Sequence, residues 1–234
     1  MKHLIHLLFA ILCFQSILSA QLHSDWDSML ETFVTDDGRV DYKAWKVSEK
    51  RLVKYLEMLS ENVPDKDFSR EESMAYWINA YNAFTIKLIL DHYPVSSIMD
   101  IANGKPWDMK WIDLGGRKYS LNQIEHDILR EKFNDARIHF AVNCAAVSCP
   151  PLMKRAFIPD KLDDQLDKRA IAFINDSRFN KVTSTKVVLS RIFEWYAADF
   201  GSIKQYLDKY YRGAISNSAQ IVYTEYNWGL NQIK

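Results

Sequence analysis

Two cysteines, two histidines and a glutamate are the residues whose types and spacing give this sequence its chemistry. The run Ile138-His139-Phe140-Ala141-Val142-Asn143-Cys144 leads directly into Ala145-Ala146-Val147-Ser148-Cys149-Pro150-Pro151. The apolar part reads as a short strand over residues 137–143, and the prolines stop regular structure beyond it. Strand-to-loop junctions are places where scaffolds present reactive groups. A thiol there can be a nucleophile, a metal ligand or half of a disulfide. As a nucleophile, Cys144 needs a lowered pKa and a base close in space, and Cys149, held by Pro150, is the poorer candidate. As a staple, Cys144–Cys149 suits an exported protein. His139, Cys144 and Cys149 are all zinc-ligand types. However, His139 and Cys144, five apart in an extended strand, point to opposite faces, and no close-spaced zinc knuckle is present. No metal and no cofactor is expected.

The second chemical feature is Leu121-Asn122-Gln123-Ile124-Glu125-His126-Asp127-Ile128-Leu129-Arg130. At about 100° per residue, Leu121, Ile124, Ile128 and Leu129 form one face with Glu125 inside it, while His126 lies well away. An acid on an apolar stripe must be paired, hydrogen-bonded or protonated. Glu125 is therefore either a structural core contact or a group that orients or balances a catalytic histidine. His126 is a surface imidazole or the base for Cys144. His139 is a satisfied core histidine or the same base, the latter requiring the chain to bend at Asn143. Asn79 and Asn82, three apart on one helix, roughly share a face. With Asn143 they are the candidate binding amides, the alternative being that they fix a neighbouring loop.

The elements that must position these groups follow from pattern. Trp26, Met29, Leu30 and Phe33 recur at helical spacing, and a second helix is expected over residues 44–60. Ser69 and Glu72 have capping-box spacing. The helix they open should run to about Tyr93, before Pro94, and is apolar nearly all round, which marks it as the buried centre of the domain. Gly115-Gly116 signals a hairpin between residues 107–114 and 118–119. Ser120 and Gln123 make a second capping box. An amphipathic helix is expected over residues 160–177, a short strand at residues 187–189, helices from Ser190 and over residues 202–211, and a last strand over residues 221–228. The fold class is α+β: a single domain, residues 21–234, with a central buried helix and a small, mostly antiparallel sheet.

Residues 1–20 read as a signal peptide, with Lys2, an apolar run from Leu4 to Leu18, and Ser19-Ala20 before Gln21. The expectation is an exported protein, periplasmic or secreted, with no membrane span once the leader is removed. Lys+Arg and Asp+Glu number 30 each, and the leader holds a single lysine and no acid. That balance excludes a basic nucleic-acid footprint. Serine-hydrolase elbow, zincin and phosphate-loop motifs are all absent, and with seven glycines in the chain nucleotide cradling is not expected.

Five segments together resemble the domain-of-unknown-function 547 family, found in exported bacterial proteins. They are Ala75-Tyr-Trp-Ile-Asn-Ala-Tyr-Asn82, Tyr119-Ser-Leu-Asn-Gln-Ile-Glu-His-Asp-Ile-Leu-Arg130, and Ile138-His-Phe-Ala-Val-Asn-Cys144 with Ser148-Cys-Pro-Pro-Leu152. The others are Leu189-Ser-Arg-Ile-Phe-Glu-Trp-Tyr196 with Asp199-Phe-Gly201, and Glu225-Tyr-Asn-Trp-Gly-Leu-Asn231. The chain departs from the family pattern at Asn227, where an acid is expected. The resemblance implies that Glu125, His126, His139, Cys144 and Cys149 are the polar positions of interest. Their order is similar to a thiol-hydrolase or transglutaminase-like layout in which histidine precedes cysteine. The expected function is a Cys-His thiol hydrolase or acyl transferase acting on amide or ester bonds, with peptide or cell-envelope substrates. The alternative is a non-catalytic exported module joined by Cys144–Cys149.

Overall fold

The computed structural model describes residues 22–234, so the leader expected over residues 1–20 lies outside the described residues. The chain begins with three helices, α1 (Ser24–Phe33), α2 (Tyr42–Val47) and α3 (Glu49–Glu61). They bury Trp26, Met29, Leu30, Tyr42, Trp45, Leu52, Tyr55 and Leu59 against the centre of the molecule. Each such side chain contributes about 1.5–3 kcal/mol by leaving water. The single helix expected over residues 44–60 is therefore two, broken at Ser48.

The central helix α4 (Arg70–His92) forms as its pattern demands. Ser69 Oγ accepts from the Glu72 N–H, and Glu72 reaches back to the Ser69 N–H at 2.8 Å. Seventeen of its 23 residues are buried. The hairpin is shorter than expected, β1 (Ile112–Leu114) and β2 (Arg117–Tyr119), paired antiparallel.

The Ser120–Gln123 capping box is also present, but the helix it opens winds wider than an α-helix. Residues Gln123–Arg130 are a π-helix in which the Glu131 N–H reaches the His126 carbonyl. This i→i+5 winding is rare and concentrates at functional sites.

The strand expected over residues 137–143 does not form; Ala136–Phe140 is a 3₁₀ turn. Asp135 Oδ1 accepts from the Arg137 N–H at 3.0 Å, which starts the turn, and the Ala141 N–H closes it on the Ile138 carbonyl at 2.9 Å. Ile138, His139, Phe140 and Ala141 are all buried, so neither side of the segment faces water as an alternating strand would.

Helix α5 (Leu162–Ile174) follows, then β3 (Lys181–Val182), β4 (Lys186–Leu189), the short helices α6 (Ile192–Trp195) and α7 (Ala197–Phe200), α8 (Ile203–Tyr210) and β5 (Gln220–Tyr223). In the second sheet β3 pairs antiparallel and β5 parallel to the middle strand β4. The last strand stops at Tyr223 instead of running to Trp228. The architecture is α+β, as expected. Among the described residues no helix is long and apolar enough to cross a membrane.

Two hydrophobic clusters result. One surrounds α4, and the other joins α5, β4 and helices α6–α8 through Phe140, Phe173, Phe193 and Phe200. The 3₁₀ turn straddles them, with Ile138 in the first and Phe140 in the second. The cysteine loop leaves this turn at the seam.

Candidate functional site

The loop after the 3₁₀ turn is held by amide side chains. Asn82 Oδ1 accepts from the Asn143 N–H at 2.8 Å and its Nδ2 donates to the Ala141 carbonyl at 2.9 Å. Asn143 Nδ2 donates to the Pro150 carbonyl, and its Oδ1 accepts from the Ala145 N–H. Arg169 donates to the Phe140 and Pro151 carbonyls from the far side. Asn79 is spent on the Phe157 backbone, donating at 2.8 Å and accepting at 3.0 Å. These contacts leave Asn79 and Asn82 no amide for a ligand, and neither lines the cavity described below. The hydrogen bonds of Asn79, Asn82 and Asn143 are those of loop fixation, the alternative weighed for these amides. Asn82→Leu leaves a buried N–H and a buried carbonyl unpaired and is expected to destabilise the fold by about 1–3 kcal/mol. Urea unfolding checks it, with an unchanged midpoint as the contrary result.

Thus fixed, the backbone turns sharply after Cys144. Ala145 has φ 61°, the left-handed region, in a residue with a Cβ. Such residues persist where surrounding contacts over-determine them, and they cluster at active sites. The C-terminal segment then closes over the loop: the Asn231 N–H donates to the Ala145 carbonyl, the Val147 N–H to Gly229 and the Ser148 N–H to Asn227. This pairing carries Tyr226 and Trp228 to Cys144.

Cys144 lines a cavity of about 260 Å³ at the seam of the two clusters. Its walls include Glu125, His139, Cys149, Tyr196 and Tyr226, with Trp107, Trp195 and Trp228 among the aromatics. Both cysteines are free thiols, so the staple considered from sequence is not closed here. Cys144 Sγ lies 3.1 Å from the Tyr226 hydroxyl, and the Cys144 N–H donates to Cys149 Sγ at 2.9 Å. Burial opposes ionisation of Cys144. The Cys149 thiol, the Tyr226 hydroxyl and the Ala146 backbone oppose burial and hold the pKa of Cys144 below that of an ordinary thiol. Cys149 moves the other way, pushed well up by burial and by its neighbour. Tyr226 is also pushed well up, chiefly by burial, so its hydroxyl keeps its proton beside the sulfur.

The histidines are arranged by a half-buried ion pair that the sequence did not reveal. Arg130 binds Asp199 through two bonds, Nε–Oδ2 at 2.6 Å and Nη2–Oδ1 at 2.8 Å. His139 Nε2 lies 2.7 Å from the same Oδ2. Hydrogen bonds from Arg130 and then from His139 hold the Asp199 carboxyl far below the usual carboxylate range. A carboxylate only accepts, so His139 donates through Nε2 and Nδ1 is its remaining nitrogen. Arg130 Nη1 lies 2.7 Å from His126 Nδ1. A guanidinium only donates, so that His126 nitrogen is an occupied acceptor. His126 and Arg130 are four apart, a spacing that places them on one face of the helix.

Glu125, 6 % exposed, accepts a 2.6 Å bond from the Tyr196 hydroxyl. The Tyr196 ring stacks on His139 with centroids 3.9 Å apart. The structure therefore brings Cys144, Glu125 and His139 to one cavity and leaves His126 outside its lining. Among the described residues no ring nitrogen is hydrogen-bonded to Cys144, and the direct Cys–His contact expected from sequence is replaced by Cys144–Tyr226. Asp199, not Glu125, orients the histidine. Among the described residues no cluster of metal-ligand side chains is present. Arg130, Tyr196, Asp199 and Tyr226 were missed as site residues. The signal for them was their place within the segments that carried the family resemblance.

Residues 66–174 match the model of the family described as protein of unknown function, DUF547. This stretch belongs to DUF547. It contains α4, the π-helix, the cysteine loop and Glu125, His126, His139, Cys144 and Cys149. Asp199 and the aromatic wall at Trp195, Tyr226 and Trp228 lie C-terminal to it. No curated protein and no solved structure matches the chain.

Proposed function

We propose that the DUF547 cleft is a thiol-dependent acyl-transfer site, acting as a hydrolase or transferase on amide or ester bonds. One observation carries the reading. A thiol favoured toward thiolate shares a 260 Å³ cavity with an imidazole whose Nε2 is held by a carboxylate. That is the arrangement of a nucleophile, a base and an orienting acid.

Cys144 gives its proton to His139 Nδ1 and attacks the carbonyl carbon. As the bond to nitrogen or oxygen breaks, His139 returns the proton to the leaving group and a thioester remains on Cys144. Water, or an acceptor nucleophile, then attacks the thioester with His139 taking its proton, and the Cys144 thiolate is released. The Tyr226 hydroxyl, 3.1 Å from the sulfur, steadies the thiolate by donating to it at both ends of the cycle.

The same proposal keeps export, read from residues 1–20, and peptide or cell-envelope substrates. The rival reading, a non-catalytic module joined by Cys144–Cys149, is disfavoured by the free thiols and by the strained turn at Ala145.

Incubation with p-nitrophenyl acetate followed by an acid quench tests the reaction. Intact mass is expected to show one acetyl group on the wild type, mapped to Cys144, and none on Cys144→Ala. An acetyl group retained in Cys144→Ala, or no acetylation of the wild type while p-nitrophenol is not released, sinks the proposal.

A further inference from the structure

The proposed site also holds a feature that acyl transfer does not use. Glu125 is 6 % exposed on the cavity wall, and among the described residues it has no ion pair. Arg130, the nearest guanidinium on its own helix, is committed to Asp199 through two bonds. Tyr196 satisfies one carboxylate oxygen and supplies no charge. A carboxylate removed from water without a counterion is expensive, and such groups are found paired. Among the described residues no lysine or arginine lines this cavity.

The same cavity is lined by a continuous arc of aromatic rings. Trp107 and Trp228 have centroids 5.6 Å apart, Trp228 and Tyr226 4.5 Å, and Tyr226 and Trp195 4.8 Å. Trp195 keeps 47 % of its surface exposed at the rim, unusual for a tryptophan that has ring partners. Ring faces carry negative charge and attract cations within about 6 Å of the centroid, most of all when water is excluded. Carboxylate and arc are thus two independent features of the same sign.

We propose that this cleft binds a ligand bearing an ammonium group, enclosed by Trp107, Trp195, Tyr226 and Trp228 with Glu125 as its counterion. This deepens the acyl-transfer reading by naming its substrate class, amides or esters that carry an amine or quaternary ammonium. It rests on that reading only for the site being the place where substrate sits.

Calorimetric titration of the full-length Cys144→Ala protein separates the two claims, because binding is then measured without any thiol chemistry. The probes are choline and 3,3-dimethyl-1-butanol, equal in shape and differing in charge. Choline is expected to bind at least about tenfold tighter. Glu125→Gln in the same background should reduce that ratio to about threefold or less. Trp195→Leu, a half-exposed position where folding is not at stake, should weaken choline at least about threefold. Equal affinity for the two probes, or a ratio and an affinity that neither substitution moves, overturns the proposal. Acetylation of Cys144 with no choline preference would sink this inference alone. A choline preference without acetylation would sink the thiol chemistry alone.

Discussion

Asp199→Ala is expected to lower the unfolding free energy by about 2–4 kcal/mol and to slow acetylation of Cys144 by about a hundredfold or more. The first figure follows from what the carboxylate holds. Its Oδ2 accepts from both Arg130 Nε and His139 Nε2, and its Oδ1 from Arg130 Nη2. Breaking a fully buried pair costs about 3–5 kcal/mol, and here the side chains are 23 % and 27 % exposed, so solvent screening reduces it. The second figure follows from the imidazole: without Asp199 nothing fixes Nε2 as the donor nitrogen or keeps the ring in place. Asn is no substitute, since either orientation of its amide turns an N–H toward Arg130. The pH dependence has a definite sign. Asp199 titrates lower in the folded protein than unfolded, so its contribution is complete above the unfolded carboxylate pKa of about 3.9 and fades as pH falls through the folded value. Urea unfolding at several pH values should show wild type and Asp199→Ala separated by a constant amount from about pH 5 upward, converging in stronger acid. A gap that instead widens on acidification contradicts the assignment of the ion pair. A normal acetylation rate in a destabilised Asp199→Ala protein would leave Asp199 a structural residue only.

Local chemistry was legible wherever it sufficed to fix conformation. Ser69 with Glu72 and Ser120 with Gln123 announce helix starts because side chain and backbone satisfy each other within one turn. The apolar girth of residues 74–90 announces burial. Glu125 could be placed in the core from its neighbours Ile124, Ile128 and Leu129, and it is buried there. What failed did so for reasons outside any local window. A run such as Ile138-His139-Phe140-Ala141-Val142 is apolar whether it is a strand or a turn gripped from both sides. Its identity was decided by Asp135 capping and by Phe140 facing a second cluster. The π-winding of Gln123–Arg130 changes which side chains share a face, so a 100° wheel misplaces Glu125 relative to Arg130. Asp199 is 69 residues from Arg130 and 60 from His139. Tyr226 is 82 residues from Cys144, and only the pairing of the C-terminal segment with the cysteine loop brings it there. Sequence therefore displayed the reactive groups and concealed what tunes them.

Alkylation by iodoacetamide at neutral pH should label Cys144 well ahead of Cys149. The thiolate is the reacting species, and each unit of pKa difference is about a tenfold difference in its population at a pH below both values. Both thiols line the cavity, but Cys144 lies below the ordinary thiol, whereas Cys149 lies well above it and is 5 % exposed. Reactivity of Cys144 should rise with pH to a midpoint below that of an unperturbed thiol and then level off. The donors responsible can be removed singly. Tyr226→Phe deletes the hydroxyl and nothing else, which should move the midpoint upward and slow labelling at pH 7 by about threefold to tenfold. Cys149→Ser keeps a donor in place and should change the midpoint less than Cys149→Ala does. This ordering separates hydrogen bonding from mere access, because loosening the loop would speed labelling in every variant while donor loss slows it. Cysteines that label at one rate, or a Tyr226→Phe midpoint identical to the wild type, would mean that Cys144 is not tuned by its neighbours and that the cavity wall holds an ordinary thiol.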